Sequence, residues 1–322
     1  MKTNLLPTPK ELTLDQINQR FANDETAREY IESVLWPHGA VCPHCKNADA
    51  KRIWKIQANP DKNIRAGLHR CAECNKEFTV TVGTIFEDSH IPLRKWLIAS
   101  YLLCSSKKGI SSLQLQRILG LGSYRTALFM THRIRHSLKD PVFKTKLKGT
   151  IEADETYIGG KTRGHGRHFM GNKVPVVSLV ERGGRVRSQV MKYVTGKNLK
   201  AVLKSNVAPS ATIMTDELPA YRKAAKDFAS HQAVNHSAGE YVRGLAHTQS
   251  VDGFFSLLKR GVVGTFHHIS EQHLPLYLAE FDHRHNTRFL TDGERTVIGL
   301  QKANGKRLTY KQLTGKISNQ EV

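Results

Sequence analysis

The chain has 322 residues, of which 49 are Lys or Arg and 28 are Asp or Glu, a formal charge of +21. With 39% apolar residues it can fill a sizeable core, which excludes a disordered polyampholyte and a fibrous repeat. The longest strongly apolar run, Trp96 to Cys104, falls far short of the roughly 20 residues a membrane span needs. Residues Met1 to Lys10 carry no apolar stretch of the secretory type, so the expectation is a soluble, cytoplasmic protein without a membrane partner. Residues 1–35 are net −2, residues 36–150 net +13 and residues 151–322 net +10. Positive charge spread over the middle and the C-terminal half, rather than in one tail, points to nucleic acid as the partner.

Residues 14–36 read as helical: Asn23 or Asp24 can cap a segment in which Ala27, Tyr30, Ile31, Val34 and Leu35 recur at helical spacing, closed by Pro37 and Gly39. From Val41 to Phe86 the pattern changes to short strands and turns. Four of the five cysteines fall there in two pairs, Cys42-Pro-His-Cys45 and Cys71-Ala-Glu-Cys74, with 25 residues between them. Lys51 to Ile56 and Phe78 to Val82 read as strands. Two such pairs around a strand-rich insert predict four thiolates on one tetrahedral structural zinc, a zinc ribbon. Four thiolates leave no open position, so this metal is not catalytic.

Residues 92–139 read as three helices. Pro92 starts one that runs through Leu103, Ser111 or Ser112 caps one that ends at Leu119, and Ser123 caps one that reaches Leu138 after the turn Gly120-Leu-Gly122. A short helix, a glycine turn and a longer basic helix predict a helix-turn-helix in which Arg125, Arg133 and Arg135 contact DNA. A Lys-rich linker, Pro141 to Gly149, leads into an α/β pattern. Strands are expected over Thr150–Tyr157, Val174–Glu181, Arg187–Val194, Thr212–Thr215 and His231–His236. Helices are expected over Asn198–Val207, Leu218–Phe228, Thr248–Lys259 and Glu271–Arg284. This order predicts a mixed sheet covered by helices. The glycine-rich segment 160–171 lacks the Gly-Lys-Ser/Thr order before a helix and is not a phosphate loop.

Three aspartates run against the overall charge. Asp154 lies in Ile151-Glu-Ala-Asp-Glu-Thr-Tyr157, Asp216 ends the strand Ile213-Met-Thr-Asp216, and Asp252 lies near the start of a helix. Strand alternation puts Glu152 and Asp154 on one face and Glu155 on the other. Carboxylates at strand, strand and helix positions can converge on one site. Cutting or joining a phosphodiester calls for divalent magnesium, or manganese, on hard oxygen ligands, where it stabilises the attacking and leaving oxygens. Helical spacing puts Ser256 and Lys259 on the same face as Asp252, so Lys259, and Arg260 beside it, are expected to contact phosphates. Five histidines near the C-terminal end, His267, His268, His273, His283 and His285, form no recognised ligand spacing.

Many ordered motifs carry a resemblance. They include Phe78-Thr-Val-Thr-Val-Gly-Thr-Ile-Phe86, Ile91-Pro-Leu-x-Lys-Trp96, Lys108-Gly-Ile-Ser111 and His132-Arg-Ile-Arg135. They continue with Glu152-x-Asp-Glu-Thr-Tyr-Ile-Gly-Gly-Lys161, Thr215-Asp216, His247-Thr-x-x-Val-Asp-Gly-Phe-Phe-Ser-Leu-Leu-Lys-Arg-Gly261 and Gly264-Thr-Phe-His-His268. Together with the cysteine pairs, these resemble the insertion-sequence transposases of the ISXO group over residues 30–290. The resemblance implies an RNase H-like domain with a DDE triad on Asp154, Asp216 and Asp252. The third residue in such enzymes is commonly Glu, one methylene longer; Glu155 and Glu240 do not fit its helix position. The resemblance further implies magnesium-dependent cleavage at the element's ends, strand transfer into double-stranded target DNA, and at least a dimer on DNA. The alternatives are a decayed transposase that only binds DNA through its ribbon, and a nuclease that cuts without joining. The expected boundaries are a helical lead-in at 1–36, a zinc ribbon at 37–90, a helix-turn-helix-like region at 91–140, the catalytic domain at 149–290 and a C-terminal extension at 291–322.

Overall fold

Asn23 caps the start of a helix. Its side chain accepts the Thr26 amide at 2.9 Å, the cap expected at Asn23 or Asp24, and the helical stretch read over 14–36 is two helices, α1 (Leu14–Arg20) and α2 (Asp24–Leu35). The computed structural model describes residues 14–140, 145–160 and 173–315; most of the glycine-rich segment and the first linker residues lie outside these. The chain divides into two units, Met1–Lys139 with Arg288–Val322, and Asp140–Thr287.

In the first unit α2 buries the stripe read from the sequence, Ala27, Tyr30, Ile31, Val34 and Leu35. Arg28 is buried with them and lies against Gly67, where φ is +77° and a Cβ would collide with the guanidinium; glycine is required there on both counts. Three short strands, β1 (Ile53–Lys55), β2 (His69–Cys71) and β3 (Glu77–Phe78), form an antiparallel sheet in that order. The strand expected over Phe78–Val82 ends at Phe78. Beyond it the Val82 amide turns back to the Thr79 carbonyl at 3.1 Å and the Thr84 amide to Thr81 at 3.2 Å. Helices α3 (Leu93–Ser105), α4 (Ser112–Leu119) and α5 (Tyr124–Leu138) follow. Ser111 and Ser123 cap α4 and α5, and Gly120 closes α4 at φ +58°. Pro92 gives α3 no side-chain cap; Asp24, at the start of α2, accepts the Arg94 amide at 2.9 Å instead.

The second unit is an α/β layer. Strands β4 (Thr150–Ile158), β5 (Val174–Glu181) and β6 (Val186–Val190) form an antiparallel meander. After α6 (Gly196–Asn206), β7 (Thr212–Thr215) pairs parallel to β4. After α7 (Pro219–Ala224), β8 (Ser230–Ala233) pairs parallel to β7. The sheet order is β6-β5-β4-β7-β8. Ile151, Ala153, Val177 and Leu179 of the sheet pack with Leu199 and Leu203 of α6 and with Tyr221 of α7. Helices α8 (Gln249–Gly261) and α9 (Leu274–Asn286) complete the unit. The long helix expected over Leu218–Phe228 is α7 plus a 3-10 turn at Ala225–Asp227. Strand β6 stops at Val190, four residues before the expected end, and Thr195 already caps α6.

The free edge of β6 is covered. Asp282 of α9 accepts the Ser188 amide and hydroxyl at 2.8 and 2.7 Å, and Asn286 accepts the Val186 amide at 2.7 Å. Four residues apart on one helix face, these two side chains take the donors of an edge strand that would otherwise invite another chain.

The first unit resumes with α10 (Asp292–Gln301) and α11 (Tyr310–Thr314), each opened by a capping box, Thr291 with Glu294 and Thr309 with Gln312. Helix α10 packs on α3, so residues 288–315 belong to the same folded unit as the ribbon.

Candidate active site and metal centre

The two cysteine pairs are built alike. Each ends in a residue with left-handed backbone, Lys46 after Cys45 and Asn75 after Cys74, at φ +65° and +55°. The chain therefore turns sharply behind each pair, and the thiols of the two pairs face one another. All four sulfurs lie within 4.8 Å of one another, with Cys42 and Cys74 3.6 Å apart and Cys45 and Cys71 3.6 Å apart. That spacing is far too long for a disulfide. It is close to the edge of about 3.8 Å that a tetrahedron with ~2.3 Å zinc–sulfur bonds has. The donor set and geometry fit structural zinc, and Asn47 Nδ2 adds a contact to Cys71 Sγ at 3.7 Å.

The carboxylate site arises from strand register. Glu152 of β4 pairs with Met214 of the parallel strand β7. Two residues on come Asp154, on the same face of β4 as Glu152, and Asp216, just past the end of β7, where sites in α/β sheets form. Asp154 is opposite Ser178 on its other side. Asp252 lies in the first turn of α8, a helix packed on β4. Each aspartate already holds one donor: Asp154 the Glu155 amide at 2.8 Å, Asp216 the Leu218 amide at 3.1 Å, and Asp252 the Thr248 hydroxyl at 3.0 Å.

The charges feel one another. Burial, with the negative charges of Glu155, Asp216 and Asp252, pushes the Asp154 carboxyl up to about 8. Burial raises Asp216 as well, opposed by the Leu218 amide and reinforced by Glu217 and Asp252. Acidic groups that resist ionisation are what a divalent cation relieves, so the donor chemistry of these residues suits magnesium. Among the described residues the cysteines are the only set of three or more whose ligand atoms all lie within 4.8 Å; the aspartates stand further apart than that.

Glu155 points to the other face and accepts the Tyr221 hydroxyl at 3.0 Å. Glu240 is taken up by the Asn235 amide at 3.2 Å. Of the five histidines, His283 is buried on α9 while His267 and His268 are exposed, and they form no ligand cluster among the described residues.

The basic residues separate into two kinds. Lys259, Arg260 and Arg125 are exposed. Arg133 and Arg135 are not, and their expected role in DNA contact is corrected: they are 3% and 0% exposed. The Arg133 guanidinium donates to the Glu87 carbonyl and lies over the Trp96 and Phe129 rings at 5.3 and 5.2 Å. Arg135 donates to the Ile110 carbonyl. The second half of α5 is surrounded by its own unit, so cations there serve packing.

Glu152 carries a contact set that sequence reasoning did not foresee. It is fully buried and accepts the Ser250 amide at 2.6 Å, the Ser250 hydroxyl at 3.0 Å, the Val251 amide at 3.1 Å and Arg182 Nε at 2.7 Å. An acidic residue two places before Asp154 on the same strand face was the available signal. Its partners 98 and 99 residues away were not legible.

Residues 146–286 match the ISXO2-like transposase domain and residues 22–77 the transposase zinc-ribbon domain, together more than half of the chain. The chain belongs to the ISXO2-like transposases. A relative, an uncharacterized protein in transposable element ISH50 of Halobacterium salinarum, is 27% identical over 288 residues, 82% of this chain and 91% of the relative. No helix of the ISXO2-like chain is long and apolar enough to cross a membrane among the described residues.

Proposed function

We propose that this transposase binds the ends of its own element and performs both DNA strand cleavage and strand transfer at Asp154, Asp216 and Asp252. The observation that carries the reading is the parallel β4–β7 register, which brings Asp154 and Asp216 to one end of the sheet while Asp252 opens a helix lying on β4. Each of the three aspartates keeps one oxygen free of the contacts described above and would hold magnesium or manganese with it. Divalent metal bound there supplies charge stabilisation for the attacking and leaving oxygens of an in-line displacement.

In the first reaction a water oxygen attacks the phosphodiester at the element's end and the departing strand leaves a 3′-hydroxyl. In the second that hydroxyl attacks a target phosphodiester, one P–O bond replaces another, and no external energy is needed. Lys259 and Arg260, exposed on the last turn of α8, would neutralise backbone phosphates, as would Arg125 at the start of α5. The ribbon at 37–90 and the helical region at 91–140 would read the element's ends, and 149–290 would carry the chemistry. Joining two ends at once requires at least two copies on DNA.

The test is incubation of the full chain with labelled element-end DNA and magnesium. Nicks that expose a 3′-hydroxyl at the terminus are expected. Tight end binding with no nicking would contradict the reading and leave a DNA-binding protein.

A further inference from the structure

Helix α8 begins without a cap of its own. Thr248 occupies the N-cap position, yet its side chain makes no bond to the helix amides. Its hydroxyl donates to Asp252 instead, at 3.0 Å. The amides that an N-cap would normally satisfy are those of the second and third helical residues, Ser250 and Val251. Both donate to Glu152 on β4, at 2.6 and 3.1 Å. Glu152 is thus the cap of α8, supplied from a strand 98 residues earlier in the chain.

The same carboxylate is braced from behind. Arg182, just past the end of β5, donates Nε to Glu152 at 2.7 Å, and its two other nitrogens hold the Leu245 and His247 carbonyls at 2.8 and 2.9 Å. His247 Nδ1 stands 3.3 Å from the same Glu152 oxygen. The segment that leads into α8 and the first turn of α8 are therefore both fastened to one buried side chain. That side chain sits two residues from Asp154 on the same face of β4.

Resting on the proposed reading of the three aspartates, we infer that Glu152 is the positioning residue for Asp252: it caps α8 in place of Thr248, frees the Thr248 hydroxyl to orient the Asp252 carboxylate, and fixes how far Asp252 reaches toward metal shared with Asp154 and Asp216. Reach matters here because an Asp side chain ends one methylene earlier than a Glu, so the backbone of α8 has to be brought in and held. A carboxylate suits this role because it accepts two amides, a hydroxyl and a guanidinium together, where a neutral amide has only one acceptor oxygen.

The test measures manganese binding to the full, zinc-loaded chain without DNA, by electron paramagnetic resonance, for wild type, E152Q, T248V, D252N and the E152Q/D252N pair. E152Q is expected to raise the manganese half-saturation roughly 10–100-fold, as for other residues that orient a metal ligand, while zinc content and end-DNA affinity stay unchanged. T248V, which leaves the Glu152 contacts in place, is expected to weaken manganese binding in the same direction and keeps the inference testable should E152Q fold poorly. The paired variant is expected to bind no more weakly than D252N alone, because two residues acting through one ligand are not additive. Wild-type half-saturation in a folded E152Q or T248V would overturn the inference while D252N still loses binding. An additive loss in the paired variant would also overturn it, making Glu152 a fold-stabilising residue only. Equal binding by wild type and D252N would instead remove the reading of the aspartates on which the inference rests.

Discussion

Asp154 and Asp216 come to the same end of neighbouring parallel strands because Glu152 pairs with Met214 two residues before each of them. The proximity is electrostatic as well as geometric: the Asp216 charge adds to burial and to the Glu155 charge in pushing Asp154 up to about 8. A carboxyl held that high keeps its proton at neutral pH and yields it to a metal.

The sign of this effect on stability follows. The unfolded Asp titrates near pH 4, whereas Asp154 in the folded chain holds its proton to about 8. Its contribution to stability is present in full below pH 4 and is lost as the pH rises through 8. Wild type is therefore expected to lose stability relative to D154N between pH 5 and pH 8, so that the melting difference shifts steadily in favour of D154N as the pH rises. Thermal denaturation without divalent metal measures this; a margin that is constant across the range would contradict it. Magnesium affinity of wild type, by titration calorimetry, is expected to rise over the same range with release of a proton.

The four sulfurs of the ribbon predict a metal-dependent fold. C71S is expected to lower zinc from one equivalent per chain to near zero and to abolish the cooperative melting of the ribbon. Zinc binding and ribbon folding are coupled because the thiolates converge only in the folded chain. Metal content by mass spectrometry beside a melting curve decides it, and full retention of zinc in C71S would contradict the assignment of all four cysteines as ligands.

Arg133 and Arg125 lie on one helix and should behave oppositely. R133A removes a buried cation that bonds the Glu87 carbonyl and covers two aromatic rings, and is expected to cost about 2–4 kcal/mol in urea denaturation. R125A removes an exposed cation over the Tyr310 ring at 5.8 Å and is expected to change stability by no more than about 1 kcal/mol while weakening DNA binding. Equal effects on stability would contradict the division of the basic residues.

Lys259 and Arg260 are expected to act through phosphates. Replacing either by Ala should weaken binding to unrelated and element-end DNA alike, and lower the slope of log affinity against log salt by about 0.9. A loss confined to element-end sequences would instead make them base-reading residues.

Much of this molecule was legible in its residues, and the illegible parts share a cause. The cysteine pairs state their chemistry by spacing, and the span of β5, Val174–Glu181, is bounded by its own apolar run. Helices α10 and α11 also announced themselves through Thr291 with Glu294 and Thr309 with Gln312, a local signal that the sequence reading passed over. What failed was whatever depended on distant neighbours. Arg133 and Arg135 read as a basic helix face because nothing local tells that their half of α5 is enclosed. Thr79 to Val82 alternate like a strand, but the pairing with β2 ends at Phe78 and the chain turns back on itself. Glu152 looked like one more acid beside Asp154, since its role is set by Ser250, Val251 and Arg182, which only the fold brings to it.

The central claim is that Asp154, Asp216 and Asp252 carry cleavage and joining together. A single-turnover strand-transfer assay on pre-cut element-end DNA with magnesium, run for wild type, D154N, D216N and D252N with end binding measured alongside, tests it most directly. The account predicts joined product from wild type and background levels from each of the three variants, with end binding retained. Joining that survives in D252N, or wild type that binds ends and never joins them, would contradict it.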